Sequence, residues 1–146
     1  MTNGNRQIPI EQPRRYFLKK SELAGGYKAF SSIISEGVLV REKQLQCFYV
    51  HRPSGEHRVV VGFAIGKSKG SAVQRNSARR RLREAYRLNK HHLLTDPRYW
   101  SGELHIVFML TKILSQRPEP FSEVNHGMIR ILAKLDERLK QTVTTQ

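Results

Sequence analysis

Arg75, Arg79, Arg80, Arg83 and Arg87, with Asn76 among them, are the side chains of this 146-residue protein whose types and spacing point most directly to chemistry. At about 100° per residue, a helix gathers these six within an arc of about 140°. Ala78, Leu82, Ala85, Tyr86 and Asn89 fill the adjoining arc, and Arg81 belongs to neither. Guanidinium groups are planar forks suited to phosphates and base edges. The Asn76 amide adds a donor and an acceptor for a base edge or a 2′-hydroxyl. From Lys67 to Lys90 there are nine basic residues and one acidic residue, Glu84, a net of +8 within a total of +14. A solvated helix face usually mixes signs, so an unneutralised stripe costs stability unless a polyanion meets it. Ser71 and Gln74 have the capping-box spacing that starts a helix, and its periodicity runs to about Lys90. Just before it, Lys67 and Lys69 lie between Gly66 and Gly70, where a helix N-terminus offers free N–H groups to an anion. The GxxxxGK[ST] spacing of a nucleotide loop is absent.

Other chemistries find less support. His91 and His92 suit a helix C-terminus, His51 and His57 flank a turn, and His105 and His126 are isolated, so no metal-ligand spacing appears. The 12 acidic residues are scattered, without the close cluster that a two-metal nuclease needs. We therefore expect no catalytic residue, no metal site and no tightly bound cofactor on the protein. Cys47 is the one cysteine, which rules out a disulfide within the chain and suits a reducing compartment. Met1–Pro13 lacks the apolar core of a signal peptide, and Val59–Gly66, the longest apolar run, is too short to span a bilayer. The expectation is a cytoplasmic protein with no membrane partner, and a pI near 10.5 makes nucleic acid the first choice of partner.

The elements that must position the stripe follow from pattern. Residues 1–17 read as a basic arm, 18–140 as one domain and 141–146 as a tail. A helix is expected from about Ser21 to Glu36, with Tyr27, Phe30 and Ile34 on one face; Gly25 and Gly26 weaken its start and Gly37 stops it. By pattern alone that aromatic face is more often core than a stacking platform. Strand-like runs follow at Val38–Arg41, Leu45–His51 and Arg58–Ile65. The turn composition of Arg52–Glu56 predicts a hairpin between the last two. The third run lacks alternation, which implies burial on both faces. Neighbours Phe48 and Tyr49 must face opposite sides of a sheet. After the basic helix and the loop at Asp96-Pro97, Leu104–Leu110 reads as a fourth strand. A last helix places Phe121, Val124, Met128, Ile131, Leu132, Leu135 and Leu139 on one stripe. The order α-β-β-β-α-β-α indicates an α+β sandwich, a single domain with one mixed four-stranded sheet covered by helices.

The stretch KSKGSAVQRNSARRRLREAYR, residues 67–87, resembles the signature of the bacterial ribonuclease P protein subunit. Leu18-Lys19-Lys20, the aromatic helix ending at Gly37, Phe48-Tyr49-Val50 and Arg58-Val59 resemble the family's order, so that the likeness covers about residues 14–140. The resemblance implies the protein subunit of a ribonucleoprotein endonuclease that removes the 5′ leader from precursor tRNA. The catalytic groups and Mg2+ would belong to the RNA subunit, and the protein would be a monomer in a 1:1 complex. It implies RNA-subunit contacts for Lys67, Lys69, Arg75, Asn76, Arg79, Arg80 and Arg83, with Arg87 on the same face. It further implies a cleft between the first helix and the sheet for the single-stranded leader, with Phe30 and Phe48 at the matching aromatic positions and Tyr27 beside them. The family's crossover between strands three and four is left-handed, against the general rule. Ser68, Ser71 and Ser77 stand where the family usually has Lys, Asn and Arg, and Ile34 where a second aromatic is common. The main rival is a ribosomal-type structural RNA-binding protein. A self-sufficient nuclease would need the acidic cluster this chain lacks.

Overall fold

Ser71 starts the basic helix as its spacing requires. Its Oγ accepts the Gln74 N–H at 3.1 Å, and Gln74 Oε1 accepts the Ser71 N–H at 2.8 Å. In this computed structural model, residues 22–23, 27–52, 56–92, 102–114 and 119–145 are described. The basic arm, the Asp96-Pro97 loop and most of the Arg52–Glu56 turn lie outside them. The elements are α1 (Tyr27–Glu36), β1 (Val38–Glu42), β2 (Leu45–Arg52), β3 (Arg58–Ala64), α2 (Ala72–Asn89), β4 (Glu103–Leu110) and α3 (Phe121–Thr145), in the expected order. A 3-10 turn, Lys67–Lys69, precedes α2, and α3 continues into the stretch read as a tail.

The four strands form one mixed sheet in the order β1-β2-β4-β3, with β4 antiparallel to β2 and parallel to β3. The expected hairpin between β2 and β3 is therefore wrong, because β4 lies between them. Turn composition dictates that the chain reverses, not which strand it pairs with. β4 carries Leu104, Ile106, Val107 and Phe108, all fully buried, and its hydrogen-bonding edges are taken by β2 on one side and β3 on the other. β3 and β4, joined through α2, are parallel neighbours, as a strand–helix–strand crossover requires.

One face of the sheet carries Cys47, Tyr49, Val61, Phe63, Ile106 and Phe108, and α2 and α3 cover it. The stripes Ala78-Leu82-Ala85-Tyr86 and Met128-Ile131-Leu132-Leu135-Leu139 meet it there. Phe63, Tyr86 and Phe108 form an aromatic cluster with centroids 5.7–6.0 Å apart. The other face buries Val60 and Val107 beneath α1, whose core residue is Ile33, not Ile34. β3 is thus an edge strand buried on both faces, as its unbroken apolar run indicates. Beyond its edge, Leu23 forms a parallel bridge with Val61. That bridge overturns the expected helix start near Ser21; each glycine of the Gly25-Gly26 pair costs a helix about 1 kcal/mol, which favours a start beyond them. At the other end of α1 the Gly37 N–H donates to the Ile33 carbonyl at 2.8 Å. A Cβ at Gly37 would come within 2.4 Å of that oxygen, so only glycine permits this close approach.

The free edge of β1 is covered by cations from α3. Lys134 Nζ donates to the Arg41 carbonyl at 2.8 Å and to Glu42 at 2.8 Å, and Arg130 Nε donates to the same carboxylate at 2.8 Å. Occupied carbonyls and charge at an edge discourage pairing with another strand.

Candidate nucleic-acid interface

Because α2 lays its apolar stripe on the sheet, its basic arc turns outward over β3. Asn76, Arg80 and Arg83 are exposed and Arg79 is half-buried. These four side chains line an open cleft of about 940 Å³ together with Phe30, Leu23 and the Val61–Ile65 stretch. Arg79 Nη1 donates to Asn76 Oδ1 at 2.6 Å, which fixes the pair and leaves the Asn76 amino group without a part in that bond. The remaining residues of the stripe are placed differently. Arg75, on the first turn of α2, buries its Nε without a hydrogen-bond partner. Lys67 is exposed on the 3-10 turn. Lys69 Nζ donates to the Thr111 carbonyl at 3.1 Å, and the Leu114 N–H donates to the Lys69 carbonyl at 2.7 Å, fastening the turn to the chain beyond β4. Arg87 makes a two-pronged pair with Glu84, at 3.0 and 2.6 Å. That pair holds the Glu84 carboxyl below its ordinary range. The single acid of the segment therefore neutralises Arg87 and leaves the cleft arginines unmatched by it.

Arg81 points elsewhere, donating to the Glu119 carbonyl at 2.7 Å. With Ser77 it lines a separate cavity of about 440 Å³ between α2, α3 and the β1–β2 turn. The helical spacing had set Arg81 apart from the basic arc, and the fold sends it, with Ser77, to the opposite side.

Strand register places Phe48, Val107 and Gly62 in one row across β2, β4 and β3, on the α1 face of the sheet. Tyr49 faces the core, where burial pushes its hydroxyl above the ordinary range. Phe48 and Phe30 are both half-buried and share a face, yet only Phe30 lines the cleft. Its ring rests directly on Gly62, where a Cβ would lie 2.4 Å from Phe30 Cε1. Tyr27 opens α1, and its side chain is outside the described ones. Sequence reasoning missed Gly62 and Leu23. The first had a signal, since glycine inside an apolar strand marks a close approach. The second had none, because a bridge beyond a sheet edge is a tertiary event.

Among the described residues, no group of three or more His, Cys, Asp or Glu side chains is placed to hold a metal ion. No described helix is long and apolar enough to cross a membrane. What the site does carry is a row of planar cations beside an aromatic ring, over an apolar floor. Phosphates suit the first, and unstacked bases the second.

Comparison with known proteins agrees with these features. The family model described as Ribonuclease P matches residues 14–136. The ribonuclease P protein component of Coprothermobacter proteolyticus is 37% identical over 76 residues, covering 52% of this chain and 60% of that protein. The chain thus spans about 60% of the length of the curated relatives it matches first. In fold, the chain is similar to the Staphylococcus aureus RNase P protein, with a TM-score of 0.59 and 19% identity over 80% of this chain and 96% of that one. It is likewise similar to the Thermotoga maritima RNase P protein, with a TM-score of 0.58 and 23% identity over 72% and 89%.

Proposed function

The chain belongs to the ribonuclease P protein family, and on that footing we propose that it is the protein subunit of a ribonucleoprotein endonuclease, binding the catalytic RNA and the 5′ leader of precursor tRNA. The observation that carries this is the single cleft shared by Phe30, Asn76, Arg79, Arg80 and Arg83. An RNA strand entering it meets guanidinium forks along one wall and an aromatic ring on the floor. The arginines hold the sugar–phosphate backbone, and Asn76 reaches a 2′-hydroxyl or base edge. Phe30 takes a base in stacking, which tolerates any sequence and so suits leaders that differ between tRNAs. Lys67, Lys69 and Arg75 extend the basic surface past the N-terminus of α2 onto the structured RNA. Phe48 lies two strands further into the sheet, beyond β4, and serves a neighbouring nucleotide or the wall behind it.

The protein's part in the reaction is positioning. Hydrolysis of the leader phosphodiester belongs to the RNA subunit, which brings its own Mg2+. The protein raises the local concentration of precursor and holds its leader in line. It works in the cytoplasm, one copy per RNA. The decisive experiment adds purified protein to a bacterial ribonuclease P RNA and precursor tRNA at low magnesium, with protein-only and RNA-only controls. Stimulated cleavage at the mature 5′ end is expected only with both components. Cleavage by the protein alone overturns the division of labour. No stimulation points instead to a structural role of the ribosomal type.

A further inference from the structure

The wall of the cleft beyond β3 is not part of the sheet proper. It is Leu23, bridged to Val61 at the sheet's outer edge, and the residue before it, Glu22, is held by an ion pair. Glu22 receives Lys90 Nζ on both carboxylate oxygens, at 2.8 and 3.0 Å. The pair is well shielded, with side-chain exposures of 26% and 16%. Lys90 caps the C-terminal end of α2, where a cation also meets the helix dipole favourably. Sixty-eight residues separate the partners in sequence, so the contact spends chain entropy to hold one short segment in place. An ion pair screened this far from water resists salt and solvent better than one on the surface. From Glu22 the chain reaches the cleft wall in one residue. The same helix that carries Arg79, Arg80 and Arg83 thus carries, at its far end, the anchor for the wall facing them.

We propose that the Glu22–Lys90 pair is a positioning clasp: by fixing Leu23 against Val61 it sets the width of the cleft for a single RNA strand, and so governs how well the precursor leader is distinguished from its absence. Neither residue touches the RNA. The inference rests on the cleft reading above and extends it to two residues outside the signature segment. An opened clasp lets Leu23 leave the wall, the strand loses one side of its channel, and the arginines hold its backbone less closely. Contacts of Lys67, Lys69 and the outer face of α2 with structured RNA do not depend on it.

The test compares Glu22→Gln, Lys90→Met and the conservative Lys90→Arg with wild type. Three quantities are read: binding of a short single-stranded RNA to the protein, affinity for ribonuclease P RNA, and the preference of the assembled holoenzyme for precursor over mature tRNA. Glu22→Gln and Lys90→Met are expected to lower single-strand binding and precursor preference by a factor of about 3–10. RNA-subunit affinity should be unchanged, and Lys90→Arg should stay near wild type because it keeps the pair. Thermal melting of each variant separates the clasp from simple unfolding. Variants that melt lower but keep the precursor preference overturn the proposal, as do variants that lose all three bindings in parallel. If wild type binds the single strand but shows no precursor preference, the leader reading fails, and the clasp is judged on single-strand binding alone. If wild type does not bind the single strand, both fail.

Discussion

Replacing Gly62 with alanine asks whether the Phe30 ring belongs to the cleft or to the core. The added Cβ would lie 2.4 Å from Phe30 Cε1 and 2.8 Å from Cζ. Ordinary contact begins near 3.4 Å, so the ring has to withdraw by about 1 Å. Gly62 lies in ordinary strand backbone, not the left-handed region, so alanine brings no backbone strain there. Relief of glycine's entropy cost returns about 0.5–1 kcal/mol, against about 1–3 kcal/mol for the crowding. A ring free to swing into an open cleft pays the lower end of that range. The net loss is then at most about 0.5 kcal/mol, a shift of about 1–2 °C in melting temperature for a chain of this size. The functional cost should be larger, because the ring leaves its stacking position and each stacked base is worth roughly 1–3 kcal/mol. The assay is binding of precursor and mature tRNA by the holoenzyme, with a melting curve for each protein. Gly62→Ala is expected to lose precursor preference and leave mature tRNA unaffected. A loss of about 4 kcal/mol or more in stability would show the ring wedged in the core, and Phe30→Ala would then cost the roughly 3–5 kcal/mol of a buried phenylalanine. A near-native melt with intact precursor preference would refute stacking by Phe30 outright.

Arg79→Ala and Arg83→Ala should each weaken RNA binding and flatten its log–log salt dependence by roughly 0.7–0.9 per lost phosphate, while Arg81→Ala, tied to the Glu119 carbonyl, leaves the slope alone. Equal slopes in all three would mean that bulk charge does the binding. Ser71→Ala removes the N-cap of α2 and should cost about 1 kcal/mol by denaturant titration, with no change expected in the RNA salt slope. Glu42 is held below its ordinary range, first by the Lys134 hydrogen bond and then by Arg130. Its ion pairs therefore stabilise the fold above the ordinary carboxylate range, and that contribution is lost as pH falls through the lowered value. Glu42→Gln should melt lower at neutral pH and lose less on acidification than wild type; parallel acid limbs in the two proteins would contradict the pairing.

Local pattern was enough to specify much of this protein. The capping box at Ser71 and Gln74, the stop at Gly37, the apolar stripes of the last two helices and the outward arc of Arg79, Arg80 and Arg83 all follow from short-range spacing. Helix geometry relates residues three and four apart without reference to the rest of the chain. The separation of Arg81 from the basic arc was legible for the same reason. Strand neighbours were not. Arg52–Glu56 has the composition of a turn, yet β4 separates the strands on either side, because pairing joins segments far apart in sequence and turn composition carries no record of it. The cleft likewise needed the fold: Phe30 rests on Gly62, thirty-two residues away in sequence, and Leu23 bridges Val61 while Glu22 reaches Lys90. Those contacts join segments whose spacing in the chain carries no period, so only the packed sheet brings them together.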